Sequence, residues 1–365
     1  MTIQRVLNVI GKMDRAGAET MLMNIYRNID RSQIQFDFLV FTDQEGDYDA
    51  EIIQLGGKII PILAKNPIER MLKLQRFLKN NPEYKIVHAH MLLSNAFHLL
   101  AAKGAGVKHR ISHSHNTSNG QSNRIKKVYE KWAYITNKRV ATYKIACGKL
   151  AAQYLFGTTK DVLILPNAVD VDNMITKAND SRDYMSKTFN DDGLKIIQVG
   201  RLNEVKNHKF SLQVAEELKK RNIDFTMYFV GQGPLEESLK TRVDNNNLTD
   251  KVKFLGVRSD ITEIMTGSDY MIMPSLHEGF PVVLVESQAT GLNALVSDQV
   301  SKEVDLGLEL VEFLSLDSVE NWVEHLTASK EPKYYDEIRI AESLKSQGFD
   351  ALTNAKKLSR VYKSL

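Results

Sequence analysis

The sequence predicts an α/β protein made of two Rossmann-like domains with parallel sheets, facing each other across a cleft. Three observations carry this. Thirteen short apolar runs alternate with amphipathic stretches along the whole chain. Strands that alternate with helices form βαβ units, and βαβ units make parallel sheets. Thirteen strands also exceed what one open sheet holds comfortably, and 365 residues at roughly 150 per domain give two domains.

The runs fall in order. In the first half they are residues 6–10, 36–41, 58–63, 86–90, 110–113, 143–146 and 162–165. In the second half they are 194–199, 225–230, 252–255, 270–273, 294–297 and 310–314. Amphipathic stretches such as 207–221, 234–244 and 281–290 suit the helices between them. Residues 171–193 are polar, without a sustained apolar period, and read as a linker. The expected plan is a first domain over 1–170, the linker over 171–193, a second domain over 194–347 and a helical tail over 348–365. Doubly wound domains bind ligands at the carboxyl ends of their strands, so the loops after the strands are where chemistry is expected.

Composition removes several classes. Hydrophobic residues make up 43% and charged residues 25%, which is ordinary globular usage and unlike a disordered, collagen-like or coiled-coil chain. A single cysteine, Cys147, forms no intrachain disulfide, which fits a reducing cytosol. The most apolar window, 89–107, carries His90, Asn95, His98 and Lys103 and does not read as a membrane span. The N-terminus reads as a first strand, not as a signal peptide. The net charge of +3 hides an asymmetry: residues 1–170 hold 24 Lys and Arg against 14 Asp and Glu, and the remainder 24 against 31. A basic half suits an anionic partner such as a membrane surface, and a solvated lysine-rich face is the plain alternative. No nucleic-acid-binding module is recognisable.

The loop after the first strand is GKMDRAGAET, with Gly17 where a helix begins. It lacks the G-x-G-x-x-G spacing of dinucleotide sites, but a glycine at a helix N-terminus admits a phosphate. The second half opens with LKIIQVGRLNEVKNH. Arg201 and Lys206 follow a strand and precede a helix, where a cofactor's phosphates would lie. The most informative stretch is YMIMPSLHEGFPVVLVESQATGLNALVSD, residues 270–298. Glu278 and Gly279 sit in a loop, Pro281 suits a first helical turn, and Glu286 lies eight residues beyond Glu278, roughly 12 Å along a helix. One carboxylate can meet a sugar hydroxyl, free N–H groups an anion, and the second carboxylate a ribose diol. Six of the nine histidines fall between His88 and His115, but no carboxylate or cysteine accompanies them, so no metal site is expected. Two D-x-D patterns, Asp47/Asp49 and Asp170/Asp172, read as a helix cap and as part of the linker.

These residues resemble a known family. GRL with its following lysine, VGQGP and EGFPVVLVESQATG are similar to the donor-binding half of the retaining glycosyltransferases of family 4, which have the GT-B fold. The Glu278/Glu286 pair matches that family's signature, and VHAH, SHSHN and PNAVD resemble its first-half landmarks. The resemblance covers residues 6–326 and is strongest over 200–298. It implies transfer of a hexosyl group from a nucleotide diphosphate sugar, with a UDP-sugar favoured, to a saccharide or lipid-linked saccharide. No cofactor or metal is implied. Arg201 and Lys206 would contact the donor diphosphate, Glu278 and His115 the reacting sugar, and Glu286 the ribose. Gly279, Phe280, Pro281 and Val282 would approach sugar and phosphate through their backbone, Gly17 would border the donor, and Val257 would lie near the base. The final helix would cross back onto the first domain. Similarity to bacterial exopolysaccharide and capsule enzymes implies work in the cytoplasm, at the inner face of the cell membrane. Two departures from the pattern are Ala16–Gly17 and Ala168, each with alanine where glycine is usual. A sugar-nucleotide epimerase of the same fold, or a catalytically silent partner of another transferase, is the alternative reading.

Residues 124–149 offer the membrane contact. Arg124, Lys126, Lys127 and Lys131 flank an apolar stripe of Ile125, Val128, Trp132 and Ile135 at three- and four-residue steps. Lysines around a tryptophan-bearing stripe favour an anionic interface, unless the stripe packs on the first sheet.

Overall fold

A computed structural model describes residues 3–116, 124–278, 280–328 and 336–365, with the side chains of Arg124 and Ile125 outside that description. The chain divides into two compact units, Met1–Ala168 with Gly348–Leu365, and Val169–Gln347.

Unit 1 holds seven strands: β1 (Gln4–Val9), β2 (Ile34–Val40), β3 (Ile59–Pro61), β4 (Ile86–Ala89), β5 (His109–Ser114), β6 (Tyr143–Ala146) and β7 (Leu163–Ile164). They form one sheet of order β3-β2-β1-β4-β5-β6-β7, and every pairing is parallel. Unit 2 holds six: β8 (Leu194–Val199), β9 (Phe225–Val230), β10 (Val252–Gly256), β11 (Tyr270–Met273), β12 (Asn293–Ser297) and β13 (Val311–Leu314). Their order is β10-β9-β8-β11-β12-β13, again all parallel. Helices cover both faces of each sheet, so strand residues are apolar on both sides, and each sheet is lined by two separate apolar clusters. Each buried Val, Leu, Ile or Phe contributes about 1.5–3 kcal/mol.

In both sheets the strand order reverses once, between β1 and β4 and between β8 and β11. The connections of these neighbouring strands leave in opposite directions. That opens a crevice at their carboxyl ends, the usual ligand position in such sheets.

Residues 171–193 are not a linker. They form helices Val171–Asp180 and Tyr184–Phe189 within unit 2. Val171, Met174, Ile175 and Ala178 are buried, which is the i, i+3, i+4, i+7 period that the sequence reading missed among polar neighbours. Lys177 pairs with Glu263 at 2.8 Å, and Met185 is fully buried. The Asp170 side chain caps the first of these helices by accepting from Asn173 N–H, and Asp172 pairs with Lys345. The other D-x-D pattern, expected to cap a helix, does not do so. Asp47 accepts from Arg15 N–H and Asp49 from Gly46 N–H, tying loops together. Helix Glu337–Ser346, which the sequence reading did not single out, belongs to unit 2.

The terminal helix Ala351–Ser364 belongs to unit 1. Asp350 caps it, Ala355, Leu358 and Tyr362 bury its inner face, and Asn354 donates to Pro166 O at 2.9 Å.

Candidate functional site

In unit 2 the candidate residues gather after β8 and β11, at the reversal of strand order. Gly200 ends β8 with φ +149°, and a Cβ there would stand 2.9 Å from Lys206 Cε. Gly231, with φ +130° at the end of β9, comes so close that its Cβ would lie 2.2 Å from Gly200 O. The two glycines let the lysine stem lie across the end of the sheet. The loop is held from inside. Gln198, fully enclosed, donates to Lys206 O at 2.7 Å and accepts from Ser211, while Asn203 accepts from Lys206 N–H at 3.0 Å. Two further bonds join this loop to the one after β11: Asn207 Nδ2 to Pro274 O at 3.1 Å, and Leu276 N–H to Val205 O at 2.9 Å.

This joining brings Lys206 Nζ to 2.8 Å from Glu278 Oε1, with both side chains largely buried. Ser275 Oγ donates to the same oxygen at 3.4 Å. Arg201, by contrast, is exposed, and among the described residues its guanidinium has no hydrogen-bond or ion-pair partner. Val257, just beyond β10, exposes 45% of its surface next to the loop that Gly231 N–H anchors on Gly256 O.

Gly279 lies outside the described residues. Phe280 packs on the second apolar cluster of unit 2. Pro281 precedes helix Val282–Ala289 and does not form its first turn, because its ψ of 108° is extended. No side chain caps that helix, so its first N–H groups carry the exposed positive end of the dipole. Glu286 is one turn into the helix. Only four of the eight residue steps from Glu278 are helical, about 6 Å of rise in place of the expected 12 Å. The Glu286 residue keeps some surface, but burial pushes its carboxyl up to about 7.

In unit 1 the candidate residues again meet at the reversal. Gly17 starts helix Gly17–Asn28 with no side-chain cap, and nothing lies within 4 Å of where its Cβ would stand. From β1, β4 and β5 come Asn8, His88, His90, His113 and His115. The four imidazoles stack with ring centroids 4.0–5.3 Å apart. His90 Nδ1 lies 3.0 Å from His115 Nε2, and His90 Nε2 lies 3.2 Å from Asn8 Oδ1. His88 Nδ1 lies 2.8 Å from Tyr362 OH of the terminal helix. Burial pushes His88, His90 and His113 well below the ordinary histidine range and His115 down to about 4, so all four are neutral at pH 7. Among the described residues, His88, His90 and His113 are the one trio able to converge on a metal ion, with nitrogens within 4.8 Å of one another. Both His90 nitrogens and one of His88 are already in hydrogen bonds, and no carboxylate or thiolate joins them. His113 has no hydrogen-bond partner on either ring nitrogen, and the trio is a stack of buried imidazoles.

The basic segment forms helix Arg124–Val140. Ala133, Thr136, Asn137 and Val140 are its buried side. Val128, Trp132 and Ile135 expose 72%, 37% and 43%, so these three do not pack on the sheet. Lys127 and Lys131 are exposed beside them, and Trp132 rests on Phe97 with ring centroids 4.8 Å apart. No helix among the described residues is long and apolar enough to cross a membrane.

Sequence reasoning missed Asn8, Asn167, Tyr362, Ser275 and Gln198. The first three come from distant parts of the chain; Asn8 and Tyr362 leave no local signal, and Asn167 lies in the PNAVD landmark without being singled out. The last two look like ordinary polar residues.

Known proteins resemble this chain in sequence and fold. Residues 15–173 match the family Glycosyltransferase Family 4, and residues 180–306 match Glycosyl transferases group 1. EpsF of Bacillus subtilis (strain 168), named as a glycosyltransferase, is 37% identical over 98% of this chain and 96% of its own. The UDP-Gal:alpha-D-GlcNAc-diphosphoundecaprenol alpha-1,3-galactosyltransferase of Escherichia coli is 28% identical over 81% of each chain. Among solved structures, Alr3699/HepE of Anabaena, in complex with UDP-glucose, superposes with a TM-score of 0.77 at 17% identity, over 99% of this chain and 100% of that one. With its two parallel-sheet units of the GT-B type and a relative of this identity along nearly its whole length, the chain belongs to the glycosyltransferases of family 4.

Proposed function

We propose that this enzyme moves a hexosyl group, with retention of anomeric configuration, from a UDP-sugar to a saccharide or lipid-linked saccharide in bacterial surface polysaccharide synthesis. The observation that carries the proposal is the Lys206–Glu278 pair at 2.8 Å, beside the exposed Arg201 and the uncapped helix after Pro281.

A bound donor supplies new partners for both members of that pair. The ammonium of Lys206 turns to the diphosphate, and the Glu278 carboxylate to the sugar ring. As the anomeric C–O bond breaks, its electron pair goes to the phosphate oxygen and positive character builds on the ring. Arg201, Lys206 and the helix N–H groups stabilise the departing charge, and Glu278 favours the cation opposite it. The acceptor oxygen forms the new bond on the face that the phosphate leaves, and its proton passes to a phosphate oxygen. The products are a nucleoside diphosphate and the glycoside. Glu286 holds the ribose diol and Val257 borders the base. Cationic side chains meet the phosphate charge, so this reading needs no metal ion.

The outward stripe of Val128, Trp132 and Ile135 between Lys127 and Lys131 supports docking on an anionic membrane, where a lipid-linked acceptor would be met. The enzyme then works in the cytoplasm, peripheral to the inner face of the cell membrane.

The test is a panel of sugar nucleotides, read by thermal stabilisation and by release of nucleoside diphosphate, with product configuration read by NMR. A stabilising UDP-sugar whose transfer persists in EDTA and retains configuration is the expected result. Activity lost on chelation and restored by Mn²⁺ would overturn the metal-free mechanism, and an inverted product would overturn retention. Epimerised sugar nucleotide without transfer would favour the epimerase reading. Donor binding without turnover would favour the silent partner.

A further inference from the structure

With the Asn8 amide oxygen turned to His90, which leaves Asn8 Nδ2 buried without a partner, the hydrogen-bond chain in unit 1 has a direction. Asn8 turns its amide oxygen to His90 Nε2 at 3.2 Å, and a carbonyl oxygen only accepts. His90 Nε2 must therefore carry the proton. Burial keeps this imidazole neutral, so its Nδ1 is bare and accepts. The partner of that Nδ1 is His115 Nε2 at 3.0 Å, which must then donate. His115 is neutral too, which leaves its Nδ1 without a proton. That Nδ1 is buried and without a hydrogen-bond partner, as is Oδ1 of Asn167, the side chain that a proton on His115 would meet.

We propose that Asn8 and His90 are positioning residues that lock the His115 proton on Nε2 and present its Nδ1 as a bare acceptor to a hydroxyl of the reacting sugar or acceptor. Nδ1 of His115 and Oδ1 of Asn167 are both buried without a hydrogen-bond partner, and one hydroxyl proton satisfies one of them. Leaving buried acceptors unmet is costly, so the arrangement favours a ligand that brings a proton to them. This inference rests on the reading that places His115 beside the reacting sugar. It explains why Asn8, at the carboxyl end of β1, is polar and fully buried in a strand whose neighbours Leu7 and Val9 are apolar.

The experiment is ¹⁵N NMR of the histidine side chains in the full-length protein at neutral pH, with His115 assigned by loss of its signals in His115→Gln. The wild type should show the Nε2–H form. Asn8→Leu removes the acceptor and should turn His115 into a mixture of forms. It should lower kcat on the order of 10-fold while donor KM stays within about twofold. A second route separates polarity from packing. In His90→Gln an amide can donate to Asn8 and accept from His115, so it should preserve the tautomer, and His90→Leu should not. A wild-type His115 with its proton on Nδ1, or an unchanged tautomer in folded Asn8→Leu and His90→Leu, would overturn the proposal. If the tautomer responds as stated but His115→Gln turns over normally, the link to catalysis falls and the sugar-side assignment of His115 falls with it. Donor binding measured on the same variant shows whether the transferase reading of unit 2 survives.

Discussion

The two units place their candidate groups at the same topological point and solve the electrostatics there in opposite ways. In unit 2 the groups are charged: Lys206 and Glu278 neutralise one another, and Arg201 stays in water. In unit 1 they are neutral imidazoles stacked in the interior, linked to Asn8 and Tyr362. The crevice at a strand-order reversal thus accepts ions where pairing or solvent is at hand. Where burial is complete, it holds groups that can shed their charge. On the proposed reading, the first arrangement suits a diphosphate and the second suits hydroxyls.

The comparison breaks first at Glu278. If the charges of unit 2 serve the transition state, Glu278→Gln should lower kcat on the order of 10²-fold and leave donor affinity nearly unchanged. Steady-state kinetics with the best donor decide it. A variant that weakens KM as much as kcat would place Glu278 in ground-state binding.

Acid should separate the units next. Five buried histidines of unit 1 have depressed pKa values (His88, His90, His98, His113 and His115), against His208 alone in unit 2. Such a group takes a proton in the unfolded chain near 6.5 but not in the fold, so its stabilising contribution is complete above that pH and is lost as pH falls below it. Each can contribute at most about 1.4 kcal/mol per pH unit. Glu19 in unit 1 and Glu286 in unit 2, both pushed up to about 7, act in the other sense: the folded form holds the proton longer, so stability falls as pH rises from 4.5 to about 7. One glutamate offsets one histidine in unit 2 but faces five in unit 1. Unit 1 should therefore unfold at the higher pH. Each unit has its own tryptophan, Trp132 and Trp322, so fluorescence of Trp132→Phe and Trp322→Phe proteins reports the two midpoints. Coincident midpoints would show that the histidine stack does not set acid stability.

Donor binding carries a smaller pH signature. If Glu286 holds the ribose as proposed, the ribose hydroxyls donate to its ionised form, and burial pushes that carboxyl up to about 7. Affinity should rise as pH goes up through that value, by at most tenfold per unit below it. Calorimetry on the wild type and Glu286→Gln checks this, and the variant should bind more weakly with a flat profile.

The smallest effect concerns the outer face of unit 1. Sedimentation with vesicles of rising anionic lipid content should increase for the wild type, each cation contributing about 1 kcal/mol near the surface. Lys126/Lys127/Lys131→Glu should abolish the dependence while the protein stays folded. Indifference to lipid charge in the wild type would leave the exposed stripe without a membrane role.

The sequence by itself determined the thirteen strands and the local order of the unit 2 candidate residues, because the signals are local. Apolar runs report burial on both faces of a parallel strand, and EGFPVVLVE puts loop, helix start and second carboxylate within nine residues of one another. It misread residues 171–193, where polar side chains masked a helical period of four buried positions, and it lengthened the Glu278–Glu286 helix by a turn because a proline's ψ is not written in its identity. Tertiary structure alone decided the pairing of Lys206 with Glu278, which depends on two loops being tied by Asn207 and Leu276. It alone decided which side of helix Arg124–Val140 faces water, since the stripe satisfied either packing. And it alone gathered Asn8, His90, His115, Asn167 and Tyr362 at the reversal of the first sheet. A hydrogen bond acts over about 3 Å in space and is indifferent to separation along the chain. Only the order of strands, fixed by the packing of the whole unit, could bring those five side chains to one place.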